Sequence, residues 1–129
     1  MTFDQVSTRD EPVVCIVDDE GPVRASLVDL FESVAMKAIA FESASDFLER
    51  CDMGQAGCIL LDVRMPGITG LDLQTRLVER ASRLPIIFAT SYADEDAQRK
   101  ALDKGAVAFL YKPFVDETLF AAIRVALSQ

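Results

Sequence analysis

The chain contains no histidine and no tryptophan, and only three cysteines, five prolines and six glycines among its 129 residues. Without histidine, zinc loses its commonest nitrogen ligand, and acid–base catalysis loses the side chain best matched to neutral pH. Cys15, Cys51 and Cys58 form no CxxC pair and are odd in number, so they read as reduced thiols and not as a disulfide framework. Glycine and proline are too sparse for a fibrous or low-complexity chain. Basic charge is also short. Thirteen Lys plus Arg against 21 Asp plus Glu leave a net charge of -8, which argues against an electrostatic grip on nucleic acid or anionic lipid. No run approaches the ~20 apolar residues of a membrane span. The start, Met1 to Glu11, is polar and has neither the basic end nor the apolar stretch of a signal peptide. A cytoplasmic location is the expectation.

What is present is a hydrophobic content of 50%, enough to build one buried core in a chain of this length. Short apolar runs mark strands at Val13–Val17, Lys37–Phe41, Cys58–Leu61, Pro85–Ala89 and Val107–Leu110. Most are nearly continuous in hydrophobicity, as strands covered on both faces are; Lys37–Phe41 is the weakest and suits an edge. Between them lie stretches of helical period. Val23, Leu27, Leu30, Phe31 and Val34 share one face behind Pro22; Phe47, Leu48 and Cys51 follow Ser43 or Ser45; Leu71, Leu73, Leu77 and Val78 follow Thr69-Gly70. A fourth helix is expected over Asp94–Lys104 and a fifth over Asp116–Leu127, with Leu119, Phe120, Ile123 and Leu127 as its apolar stripe. Five strand–helix repeats, (βα)₅, joined by right-handed crossovers predict an α/β doubly wound, five-stranded parallel sheet of order 2-1-3-4-5, the flavodoxin-like arrangement. Residues 1–11 read as a flexible lead-in and 12–129 as the domain.

In such a sheet, chemistry gathers beyond the carboxyl ends of the strands. The residues expected there are Asp18, Asp19 and Glu20 after the first strand and Asp62 after the third. Thr90 and Ser91 follow the fourth, and Tyr111, Lys112 and Pro113 the fifth. Each alone fits a cap, a turn or a solvated surface position. Together Asp18, Asp19 and Asp62 put three carboxylates, Thr90 and Ser91 two hydroxyls, and Lys112 an amine on one rim. Carboxylates crowded in this way take up protons or a cation. Oxygen donors without histidine or cysteine point to Mg²⁺, which shares its coordination between carboxylates, waters and phosphoryl oxygens. An aspartate on that rim can attack phosphorus and form an acyl phosphate.

Four segments, IVDDEGPVR (16–24), LLDVRMPGITG (60–70), PIIFATS (85–91) and GAVAFLYKPF (105–114), occur in order at domain spacing. In these the chain resembles the receiver domain of two-component response regulators, and within that family the FixJ-type regulators. The resemblance spans Val13 to Leu127. It implies Asp62 as phosphoacceptor, with Thr90 and Lys112 meeting phosphoryl oxygens. It further implies Mg²⁺ held by Asp18, Asp19, Asp62 and the backbone carbonyl of Arg64. Thr90 and Phe109 match a switch pair, and the Lys112–Pro113 bond is expected to be cis. Ser91 stands where Gly or Ala is usual and tightens access, and the ring of Tyr92 can lie over the pocket mouth. Arg64, beside the acceptor, can cover the phosphoryl group or obstruct the hydrolytic water.

The same resemblance implies self-catalysed phosphorylation and dephosphorylation without metabolite turnover. The expected donor is a sensor histidine kinase or a phosphotransfer protein. Signal output is expected on the face of the fourth helix, fifth strand and fifth helix. There Ala97 and Ala101 offer a small-residue stripe, and mixed charge offers a seat for a partner or a phosphorylation-dependent homodimer. No direct nucleic-acid or membrane contact is expected of this domain; a chain ending at Gln129 fits either a free-standing receiver or the receiver part of a longer DNA-binding regulator. Two other readings compete. A degenerate receiver would act only as a phosphorylation-independent protein-binding module, but it would normally have lost a carboxylate or the lysine. An Asp-based small-molecule phosphatase would want an acid/base two residues past the nucleophile, where Arg64 stands.

Overall fold

The structure, a computed structural model, describes residues 11–129. The expected lead-in, residues 1–11, therefore falls outside the described residues except for Glu11. In chain order the elements are β1 (Val13–Val17), α1 (Gly21–Ser33), β2 (Ala38–Phe41), α2 (Ala44–Arg50) and β3 (Ala56–Leu61). They continue with α3 (Gly70–Glu79), β4 (Ile86–Thr90), α4 (Glu95–Asp103), β5 (Ala108–Tyr111) and α5 (Asp116–Leu127). The strands form one parallel sheet in the order β2-β1-β3-β4-β5, as expected. No helix among the described residues is long and apolar enough to cross a membrane.

Strand alternation divides the core between the two faces of the sheet. Val13, Cys15 and Val17 face Phe47 of α2, Leu73 and Leu77 of α3, and Ala97 and Ala101 of α4. Val14 and Ile16 face Leu27 and Phe31 of α1 and Leu119 and Ile123 of α5. Every residue of β1 and of β4 is buried, which is why these runs show no polar alternation. β2 lies at an edge and leaves Ile39 exposed, in keeping with its weaker signal.

Helix starts follow the side chains. Ser43 accepts the Asp46 N–H at the start of α2, and Asp94 accepts the Ala97 N–H at the start of α4. Thr69 and Asp72 form a reciprocal capping box at α3. Two expectations about faces need correction. Ala97 and Ala101 are buried in the core, so they are not a stripe available to a partner. Alanine carries no polarity to tell a small core contact from a small surface contact. Val34 and Val78 are exposed: Val34 lies just past the end of α1, and Val78 is turned about 100° around its helix from buried Leu77.

Candidate functional site

The backbone ladder carries the acidic residues to the sheet edge. The Asp18 N–H donates to the Phe41 carbonyl at 3.2 Å, and the Asp62 N–H donates to the Val17 carbonyl at 3.0 Å. Both aspartates therefore continue the parallel pairing by one residue beyond β1 and β3. On the other side of β3, the Lys112 N–H donates to the Thr90 carbonyl at 2.7 Å, fixing the start of the loop after β5. The Lys112–Pro113 bond is cis, as expected.

These tethers bring carboxylate oxygens of Asp18, Asp19 and Asp62 within 4.8 Å of one another, with Asp18 and Asp62 buried and Asp19 exposed. The Lys112 ammonium reaches across the sheet edge into the group. Its Nζ donates to Asp18 Oδ2 at 2.8 Å and lies 3.8 Å from Asp62 Oδ2. Asp18 Oδ1 also accepts the Glu20 N–H, at 2.9 Å, which fixes the Asp18 carboxylate plane. Asp62 Oδ1 accepts the Arg64 N–H at 3.3 Å. Burial pushes the Asp62 carboxyl up to about 6; the Lys112 charge pulls in the opposite direction, and the neighbouring Asp18 carboxylate adds to the rise. This is the electrostatic state of a site short of positive charge. Its donors are all oxygen and suit a hard divalent cation, Mg²⁺ among them.

Asp62 is 9% exposed, less open than a rim position suggests. It is reached through a cleft of about 290 Å³ that it lines with Asp19, Glu20, Arg64, Ser91 and Tyr92. At the cleft wall the Arg64 guanidinium stacks 4.4 Å from the centre of the Tyr92 ring, so the two side chains expected near the mouth meet there. Thr90 is buried behind this wall, and its Oγ1 accepts the Tyr92 N–H at 3.2 Å. Phe109 also lies in the core, its ring 5.7 Å from Phe88 and 5.5 Å from Tyr111. Thus Asp18, Asp19, Asp62 and Lys112 converge, Arg64 adjoins them, and Thr90 and Phe109 stand one layer back.

Two further residues shape the site. Arg24, in the first turns of α1, donates from Nη1 to the Asp18 carbonyl at 2.8 Å and braces the loop carrying the aspartates. Nothing in the sequence distinguishes it from an ordinary surface arginine. Gly70 opens α3 against the backbone of Asp62: a Cβ there would stand 2.1 Å from the Asp62 carbonyl oxygen. A glycine at the first position of a helix, eight residues after the aspartate, was the available signal.

Comparison with known proteins agrees with this geometry. The family model described as response regulator receiver domain matches residues 14–124. The transcriptional regulatory protein TdiR of Thauera aromatica is 43% identical over 121 residues, covering 94% of this chain and 53% of TdiR. Among solved structures, the response regulator StyR superposes with a TM-score of 0.86 at 39% identity, covering 92% of this chain and 60% of that one. The structure named FixJ-N gives 0.85 at 33% identity, covering 92% and 94%. The chain spans about half the length of the curated relatives it matches. With its fold, its acidic cluster and the match over 14–124 in agreement, the chain belongs to the response regulator receiver domain family, and the Asp18–Asp19–Asp62 cluster is its phosphoacceptor site.

Proposed function

We propose that Asp62 accepts a phosphoryl group from a phosphohistidine on a sensor kinase or phosphotransfer protein. The observation that carries this reading is the convergence of three carboxylates with the Lys112 ammonium at the open end of the sheet. Asp18, Asp19 and Asp62, with the Arg64 carbonyl, would hold Mg²⁺, which when bound supplies the positive charge needed for an anionic donor to approach. An Asp62 oxygen attacks phosphorus as the donor's P–N bond breaks and the imidazole departs with the electron pair. In this reading Lys112 moves from its Asp18 partner toward a phosphoryl oxygen, and the Thr90 hydroxyl, which accepts the Tyr92 N–H, turns toward another.

Release of the Tyr92 amide loosens the segment leading into α4, while Phe109 packs directly below on β5. The Tyr111 hydroxyl donates to Gln98 Oε1 at 2.7 Å, tying β5 to α4, so a shift at Thr90 has a short route to the α4–β5–α5 face. We assign output to that face, including a phosphorylation-dependent homodimer. The name of TdiR describes a transcriptional regulator, and a net charge of -8 argues against direct DNA contact by this domain.

The test is incubation with a small acyl-phosphate donor and Mg²⁺, followed by intact mass and amide NMR. A labile gain of one phosphoryl group, lost in Asp62→Asn and much slower in Lys112→Ala, is expected, with amide shifts spreading to α4 and β5. No adduct would leave the binding-module reading. Repeated turnover of metabolite phosphates would favour the phosphatase, and shifts confined to the acidic cluster would remove the output face.

A further inference from the structure

A second pair of chemically competent side chains lies within the core half that α2 covers, apart from the carboxylate cluster beyond β1 and β3. Cys15, in the middle of β1, and Cys51, the residue that closes α2, place their sulfurs 3.8 Å apart although 36 positions separate them in the chain. Cys15 is buried and Cys51 is only partly so. Beside them lies a cavity of about 180 Å³ whose wall includes Val13, Cys15, Ile39, Phe41, Arg50 and Cys51. That is ample for a molecule little larger than water, whose share of liquid volume is about 30 Å³. Cys51 caps α2: its N–H still donates to the Phe47 carbonyl at 2.9 Å, while its own backbone turns extended (φ -73°, ψ 131°). Sulfurs already in contact need to close only to the about 2 Å of a disulfide.

We propose that Cys15 and Cys51 are a modification site: a dithiol that hydrogen peroxide converts to an intramolecular disulfide. The chemistry balances in two steps. The Cys51 sulfur attacks one peroxide oxygen, the O–O bond breaks, and one water leaves with Cys51 as a sulfenic acid. The Cys15 sulfur then attacks the Cys51 sulfur, the S–O bond breaks, and the second water leaves as the S–S bond forms. The two thiols are oxidised, the peroxide is reduced, and both thiol protons end in water. Cys51 meets the oxidant because it is the less buried sulfur; Cys15 resolves it because it is already in contact. Cys58 is an internal control. It pairs in register with Val14, and so faces the opposite side of the sheet from Cys15, in the other half of the core. The bond would tie the end of α2 to the central sheet and remove freedom from the unfolded chain.

The experiment treats the 129-residue chain with hydrogen peroxide, then quenches in acid, alkylates under denaturing conditions and maps the peptides. Three free thiols are expected to fall to one, Cys58, with a single cross-linked peptide pair containing residues 15 and 51 and a raised thermal midpoint. Cys51→Ser should show no cross-link, and Asp62→Asn should form it as readily as the parent, which separates this site from phosphoryl transfer. Persistence of three thiols would overturn the proposal. So would over-oxidation of Cys51 without a bond, a link to Cys58, or a bond between two chains.

Discussion

Asp62 is held in an environment that disfavours its charge, and this fixes the sign of its contribution to stability. Its folded value of about 6 lies above the ordinary 3.8, so the stability it contributes is fully present below about pH 4 and is lost as pH rises through about 6. Near neutral pH the ionised carboxylate costs about 1–2 kcal/mol, allowing for solvent in the cleft. Without divalent cations, Asp62→Asn should therefore melt higher than the parent near pH 7, and the gain should vanish at about pH 4. A lower midpoint at neutral pH would contradict this account. Lys112 keeps a partner in that variant, because its shorter contact is with Asp18.

Gly70→Ala acts on the same loop by shape alone. Its Cβ would collide with backbone, so α3 or the Asp62 loop must move, at about 1–3 kcal/mol. A reduced urea midpoint together with slower phosphorylation checks it; an unchanged rate would mean that the loop absorbs the shift. Arg64 and Tyr92 form the wall that narrows the cleft. Removing the guanidinium in Arg64→Ala should open water's approach and shorten the life of the phosphorylated form several-fold, read from loss of the phosphoryl mass with time. An unaltered decay would leave the stacked pair without influence on hydrolysis.

At the scale of elements, α1, α3 and α4 end in the same way. The last helical turn is closed by paired backbone bonds: Met36 and Ala35 donate to Phe31 and Glu32, Ser82 and Ala81 to Leu77 and Val78, Ala106 and Gly105 to Ala101 and Leu102. The left-handed residue is Gly105 in one and alanine in the other two, Ala35 (φ 61°) and Ala81 (φ 57°). Ala35→Gly and Ala81→Gly should each stabilise by about 0.5–1 kcal/mol, since glycine avoids the Cβ clash of that conformation. Denaturant midpoints measure this, and a loss would show that unfolded-state entropy outweighs the relief. All five strands were legible because each is a short apolar run between polar breaks. Their ends were less so: β4 and β5 continue through Thr90 and Tyr111 because the hydrogen-bond ladder does not stop where polarity begins. The face of α4 was misread for a related reason. Ala97 and Ala101 are small enough for either side, and only the sheet behind them shows which side is covered.

For the whole molecule, the clustered carboxylates are capable of coordinating a divalent metal, and a cation bound there would stabilise the fold. A ligand that binds only the folded state at a hundred times its dissociation constant adds about 2.7 kcal/mol. Mg²⁺ should thus raise the thermal midpoint of the parent, and Asp19→Asn should blunt the rise; equal shifts in the two would place the ion elsewhere. The sequence by itself determined the parallel sheet, its strand order and the residues at its carboxyl edge, because hydrophobic period and crossover handedness are local or topological and survive without coordinates. Tertiary structure decided what depends on distance and enclosure. Lys112 lies nearer Asp18 than Asp62, Asp62 is shielded enough to resist ionisation, Thr90 stands behind the cleft wall, and Arg24 and Gly70 support the aspartate loops. The contact of Cys15 with Cys51 belongs to the same class. Each depends on how sheet twist and helix packing bring remote segments together, and no spacing along the chain encodes that separation.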